Sequence, residues 1–127
     1  MDKITLIENM MKEAKKYIEE KNAIQASEKL YKVAEECIKI LAEKEGIPEF
    51  EKAQKKEQWQ TYLLGQAAKS LSSILKEEKI NFAWTTAYDV HVWGFHELKY
   101  SLKDVKTALK PIEWLLNFTK EYLKNHG

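Results

Sequence analysis

The chain has no arginine, one cysteine, four glycines and two prolines among its 127 residues. The single cysteine, Cys37, excludes an internal disulfide framework, and together with three histidines it does not provide the paired spacings of a zinc site. The glycine count argues against a phosphate-binding loop or a dinucleotide fingerprint, since both need several closely spaced glycines. We therefore expect long helices, no bound metal and no cofactor.

The chain also has no excess of either charge and no long apolar run. Its 21 lysines are balanced by 20 acidic residues, so the formal net charge is +1 and composition alone predicts no global attraction to nucleic acid or to a membrane. No stretch approaches the roughly 18 apolar residues of a membrane span, and the first residues mix acids and lysines, unlike a signal peptide. With 44% hydrophobic residues, the sequence predicts one soluble, cytoplasmic domain over 1–127.

Hydrophobic spacing predicts an all-α antiparallel bundle of four to five helices. The first helix extends to about Lys21, and Asn22 with Gln25 has the form of a capping box that starts the second. Gly46 and Pro48 should end this second helix. Its apolar stripe is the clearest in the chain and consists of Leu30, Val33, Ala34, Cys37, Ile38 and Leu41.

In the second half of the chain the sequence marks the helix boundaries less clearly. Residues 49–57 are polar and predict a linker or a weak helical turn, with Phe50 as its anchor. A third helix should run from Trp59 to near Glu78. Ser101 and Asp104 resemble a capping box at the start of a last helix, in which Pro111 should cause a kink or mark a restart.

The fourth predicted helix, over residues 80–98, differs from the others in composition. Only Asp89 and Glu97 are formally charged in it, and residues 82–100 hold six of the fourteen aromatic side chains. A helix that is apolar nearly all round must be covered on more than one side. It should therefore lie at the centre of the bundle, in an oligomer interface, or in both.

The same segment places Asp89, His91, His96 and Glu97 within nine residues. Histidine titrates near neutral pH and carboxylates can orient it, so this group could perform acid and base chemistry. At roughly 100° per residue, however, the two histidines point about 140° apart on a regular helix and could not chelate one metal. Alternatively, His91 is a core or interface histidine. Gly94 either permits close helix packing or lets the helix bend so that both rings face one cleft.

Lysines follow this segment at spacings of four, three and four residues, namely Lys99, Lys103, Lys106 and Lys110. If the helix continues through Ser101, they form one basic stripe that could hold phosphates. If Ser101 breaks the helix, they are scattered on a solvated face.

Two stretches, ASEKLYKVAEECIKILAEKEG (residues 26–46) and AWTTAYDVHVWGFHE (residues 83–97), resemble the archaeal PaREP family, small paralogous proteins that are similar to the HEPN superfamily. The resemblance extends from about Ala14 to Leu123, and the second stretch is the more specific. It implies an all-α bundle with two long antiparallel helices at its heart and a homodimer that packs through its helices.

HEPN-like domains are known as ribonucleases and as nucleotide-binding or RNA-binding partners of minimal nucleotidyltransferases. Their ribonuclease members carry an arginine, four to six intervening residues and a histidine, which meet across the dimer for metal-independent cleavage. This chain has no arginine, but four residues separate His91 from His96. The resemblance implies a catalytic role for His96 and places His91 where the arginine would stand. A neutral imidazole lacks the permanent charge and forked donors of guanidinium.

Three functions are consistent with this sequence. The first is a HEPN-like homodimer that binds RNA, a nucleotide or a partner protein without efficient catalysis. Its groove would be lined by Trp93, His96, Glu97 and Lys99, with Asp89, Lys103 and Lys106 as further binding residues. The second is a metal-independent ribonuclease that uses His96 and His91. The third is a helical interaction or scaffold module.

Overall fold

The computed structural model describes residues 2–126, in which every regular element is helical. The α-helices are α1 (Lys3–Glu19), α2 (Ala23–Glu45), α3 (Pro48–Lys56), α4 (Thr61–Ile74), α5 (Glu78–Val90), α6 (Leu102–Lys106) and α7 (Leu109–His126). A π-helical turn (His91–His96) directly continues α5. The all-α prediction is confirmed, but the chain forms more helices than the four to five expected.

Helix α2 is the central element, because it contacts α1, α4, α5, α7 and the π-helical turn. All six side chains of its predicted apolar stripe are fully buried. The Asn22 side chain accepts a hydrogen bond from the Gln25 backbone N–H at 3.1 Å and caps the start of the helix. Gly46 ends it in the left-handed region, at φ 64°. Both predicted boundaries of α2 are therefore confirmed.

The segment over residues 49–57, expected to be a linker or a weak turn, lies almost entirely in α3. Pro48 occupies its first turn, where the missing N–H is not needed. Acidic residues in the first turn and lysines in the last turn complement the helix dipole. Phe50 packs against the core, as expected of an anchor, and Ala53 is buried.

Helix α4 ends at Ile74, four residues before the predicted end near Glu78. Lys76 adopts a positive φ of 54°, and the chain reverses so that α5 begins at Glu78. This early reversal places Ile80, fully buried, in the core. The position of the turn is therefore set by packing, which hydrophobic spacing along α4 alone does not reveal.

Helix α5 packs against α2, α4 and α7, so it is covered on several sides as its composition predicts. The coverage is incomplete, because four large apolar side chains of α5 and the segment after it remain more than two-fifths exposed: Phe82, Tyr88, Trp93 and Leu98.

The predicted last helix is divided in two. Ser101 and Asp104 form the complete capping box of the short helix α6, with bonds of 2.9 Å and 3.3 Å between side chains and backbone. The chain restarts as α7 at Leu109, so Pro111 lies in the first turn of α7, where proline is tolerated. The restart predicted near Pro111 is thus confirmed.

Candidate functional site: a histidine pair on a π-helical turn

The two histidines predicted to point apart lie in direct contact. The Nε2 atoms of His91 and His96 are 3.1 Å apart, and the rings meet edge to face. The cause is the π-helical turn, in which hydrogen bonds join residues five apart, as the 2.8 Å bond from the Glu97 N–H to the Val92 carbonyl does. Two residues that are five apart in the chain therefore have their side chains on the same side of the helix. The expected angle of about 140° was wrong because the helix is not regular here.

Gly94 allows this turn to press against α2. A Cβ atom at Gly94 would lie 2.1 Å from the Ser27 Oγ and 2.9 Å from its Cβ, closer than real contacts allow. Ser27 is fully buried, and its hydroxyl donates a 2.8 Å hydrogen bond to the Ala23 carbonyl. The close-packing role considered for Gly94 is therefore observed, and it occurs within a turn that also reorients the histidines.

Helix α2 supplies the groups that hold the His91 ring. The Oε2 atom of Glu28 lies 3.4 Å from Nδ1 of His91, and neither atom has a hydrogen-bond partner among the described residues. The Tyr31 ring stacks on His91 with centroids 3.8 Å apart and an interplanar angle of 17°. His91 is therefore stacked on Tyr31 and has the Glu28 carboxylate beside one edge, without a hydrogen bond to it.

The sequence analysis did not identify Glu28 or Tyr31. Both lie on α2, far from the aromatic segment in the chain, and their spacing only places them on the side of α2 that faces α5. No local signal distinguishes them from the other acidic and aromatic side chains of the helix.

The surroundings of the pair determine its proton distribution. Burial lowers the pKa of His91, and the neighbouring Glu28 carboxylate opposes this effect. A neutral His91 that carries its proton on Nδ1, toward Glu28, must accept at Nε2. The Glu28 carboxylate, the half-buried His91 ring and the exposed His96 ring therefore lie next to one another in that order.

Asp89, which was expected to act with the histidines, instead forms a hydrogen bond with Tyr100. Its Oδ2 atom accepts a 2.7 Å hydrogen bond from the Tyr100 hydroxyl, and this bond raises the pKa of Tyr100 to about 12. The N–H groups of Lys99 and Tyr100 both donate to the Trp93 carbonyl, at 2.7 Å and 3.0 Å. These two backbone bonds fold the chain back on itself after the π-helical turn. Together with them, the bond from Tyr100 to Asp89 anchors the segment 97–101.

The remaining predicted site residues are exposed. Trp93 and Glu97 lie on or directly after the π-helical turn, and Leu98 adopts a positive φ of 56° just beyond. Helix does not continue through Ser101, so Lys99 lies in the connecting segment while Lys103 and Lys106 lie on α6. The single basic stripe was therefore wrong, and the alternative of scattered, solvated lysines is observed.

Within residues 2–126, no three or more histidine, cysteine or carboxylate side chains are grouped so as to hold a metal ion. Over the same range, no helix is both long and apolar enough to cross a membrane.

These features define an all-α protein built around one long central helix, with a histidine pair on a π-helical turn packed against it. The chain belongs to the archaeal PaREP1/PaREP8 family, whose model matches residues 2–116. The resemblance to the PaREP family found in the sequence is thus confirmed. No protein with a curated record matches the chain significantly.

Two experimental structures share this fold. A crystal structure of a protein from Sulfolobus solfataricus is 31% identical, with 97% of this chain and 98% of that chain covered and a TM-score of 0.85. A solution structure of the same structural-genomics target is 32% identical, with 95% and 93% covered and a TM-score of 0.81.

Proposed function

We propose that this protein is a HEPN-like homodimer that binds RNA and cleaves it slowly through the His91–His96 pair, without a metal ion. The observation that carries the proposal is the 3.1 Å contact between the two Nε2 atoms, with Glu28 behind His91. Acid–base cleavage of a phosphodiester requires an imidazole that can take up and release a proton beside it, and a second imidazole in contact with the first can orient that ring.

The reaction assigns different work to the two rings. One neutral imidazole accepts the proton of the ribose 2′-hydroxyl as the 2′-oxygen bonds to phosphorus. The bond from phosphorus to the 5′-oxygen breaks, a protonated imidazole gives that oxygen its proton, and a 2′,3′-cyclic phosphate remains. His96 is exposed and meets the phosphodiester: as the neutral ring it takes the 2′-hydroxyl proton, and as the protonated ring it gives that proton to the leaving 5′-oxygen. His91, stacked on Tyr31 beside Glu28, contacts His96 through Nε2 and orients it.

Catalysis should be slow because the site lacks a permanent positive charge. His91 stands where the superfamily's ribonucleases carry arginine, and the lowered pKa of His91 leaves it mostly neutral near pH 7. A neutral ring does not stabilise the charge that develops on phosphate as guanidinium does.

The test is incubation of pure protein with RNA in EDTA, followed by analysis of the fragment ends. We expect cyclic phosphate ends from the wild type, loss of cleavage in His96→Ala and in His91→Ala, and a reduced rate in Glu28→Gln. His126→Ala is the matched control, since it removes an exposed histidine at the C-terminal end of α7. Intact RNA with the wild type, or equal loss in the His126 variant, would contradict the proposal.

The dimer is a separate part of the proposal. It is supported by the exposed apolar side chains next to the pair, Tyr88, Trp93 and Leu98, since such surfaces are typical of interaction sites. Light scattering should give twice the mass of the chain. A monomer mass at every concentration would contradict dimerisation and leave the cleavage test unaffected.

Binding without cleavage is the second candidate. It is favoured by Lys99, Lys103 and Lys106, which are exposed and make no ion pair within residues 2–126, and by the exposed ring of Trp93. Its partners would be RNA, a nucleotide or, by family resemblance, a nucleotidyltransferase-type protein. If RNA stays intact but binds, affinity should fall steeply with salt and on Lys99→Ala and Lys103→Ala. Affinity that is independent of salt would contradict this candidate.

A further inference from the structure

A second surface, at the opposite end of α5 from the histidine pair, combines an open groove with lysines and exposed rings. The groove has a volume of about 1080 Å³ and lies where α4 turns into α5. Lys69, Lys76 and Lys79 line it, together with Phe82, whose side chain is 59% exposed. None of these lysines forms an ion pair among the described residues.

The groove continues into a smaller notch of about 190 Å³ against the start of α7. Lys79 and Phe82 line both, and Lys110 and Trp114 complete the notch. The Lys79 Nζ lies 5.6 Å from the centre of the Trp114 ring, within the range of a cation–π contact. Lysines and aromatic rings thus alternate along one continuous depression.

The charge of this surface differs from that of the chain. Four lysines line the groove and notch against two glutamates, whereas lysines and acids nearly balance over the whole sequence. One of the two acids, Glu77, accepts a hydrogen bond from the Lys79 N–H at 3.4 Å and caps the start of α5. The depression is therefore locally basic.

The groove also contains a polar atom that the fold leaves without a partner. The Asn81 side-chain oxygen is buried and accepts no hydrogen bond, although the Asn81 N–H donates to the Ser72 hydroxyl at 2.8 Å.

We propose that this basic and aromatic groove, defined by Lys69, Lys76, Lys79, Phe82, Lys110 and Trp114, binds single-stranded nucleic acid. Lysines contact the phosphates, and the Phe82 ring stacks on a base. Stacking rings along a positively charged groove are the general means by which proteins hold single strands without sequence preference. Phe82 lies nine residues before His91, which corresponds to about 14 Å along the helix axis.

The groove is independent of the proposed chemistry, so its test uses a strand that the histidine pair cannot cut. A fluorescein-labelled 15-residue oligodeoxythymidine lacks the 2′-hydroxyl, and an oligouridine of the same length reports on RNA. Fluorescence anisotropy at low and at high salt measures the affinity of the protein for each strand. We expect binding that weakens as salt rises, and a loss of about fivefold or more in both Phe82→Ala and Lys79→Glu.

Matched controls keep the test specific. Leu6→Ala removes an exposed apolar side chain on α1, and Lys12→Glu makes the same charge change on α1, so both should retain affinity. Circular dichroism checks each fold, and Phe82 is exposed enough that its truncation should leave the core intact.

Two outcomes would overturn the proposal. One is absence of binding to either strand at low salt. The other is binding that the Phe82 and Lys79 variants leave unchanged, or that the α1 controls reduce equally. Either of these binding results together with RNA cleavage at the histidine pair would refute the groove and leave the proposed function standing.

Discussion

His91 and His96 are five residues apart in the chain, and their Nε2 atoms are 3.1 Å apart in the structure. A regular α-helix would separate these two side chains, whereas the π-helical turn brings them together. The contact depends on the packing of Gly94 against Ser27, because any larger side chain would force the turn away from α2. The geometry of the pair is thus coupled to one close contact between two helices.

Gly94→Ala should destabilise the protein by about 1–3 kcal/mol, because the added methyl group would overlap the buried Ser27 side chain. The free energy of unfolding in urea measures the effect. Gly65→Ala is the matched control, since a Cβ there would meet only the Trp84 Nε1 at 3.5 Å, an ordinary contact. Alanine in a helix is favoured over glycine, so this variant should be neutral or gain up to about 1 kcal/mol. Equal destabilisation by both changes would contradict the close-packing role of Gly94.

Glu28→Gln should lower the pKa of His91 further. The Glu28 carboxylate is the main group that opposes the effect of burial on this ring, and glutamine removes its charge while keeping its size. Titration of the histidine ring protons by NMR measures the shift. Glu35→Gln should produce a smaller change in the same direction, since Glu35 acts more weakly on His91. A pKa that rises or stays constant in Glu28→Gln would show that the two groups do not interact.

Stability should fall as the pH is lowered through the ordinary pKa of histidine. The pKa of His91 in the folded protein lies below the ordinary histidine value of 6.5, so the unfolded chain binds its proton first and is favoured as the pH falls through that value. We expect the melting temperature to drop between about pH 7.5 and 5.5, and to drop less in His91→Gln. Identical pH profiles for the wild type and His91→Gln would show that other groups cause the loss of stability.

The bond between Asp89 and Tyr100 should contribute modestly to stability and more clearly to local order. Asp89→Ala and Tyr100→Phe should each cost about 0.5–1 kcal/mol, since both side chains lie near the surface. If the bond acts as one unit, the double variant should cost no more than the larger single change. Amide hydrogen exchange in residues 97–101 should accelerate in all three variants. Fully additive costs would mean that each side chain acts through other contacts.

Much of the helical framework was predictable because helices are encoded locally. The spacing of apolar residues in α2 identified its buried stripe, and the caps at Asn22, Gly46 and Ser101 were found because each is formed by residues within a few positions of one another. The segment over 49–57 was misjudged because its two anchoring side chains, Phe50 and Ala53, are too few to produce a periodic pattern.

The sequence by itself determined most of the helices, the faces that those helices bury and the residue types that are available for acid–base chemistry. The tertiary structure decided which of those residues meet. The π-helical turn forms where Gly94 packs on Ser27, and Glu28 and Tyr31 reach His91 from another helix. Such contacts depend on how helices dock, and docking is set by side-chain shapes distant in the chain, whereas helical periodicity is a property of neighbouring residues.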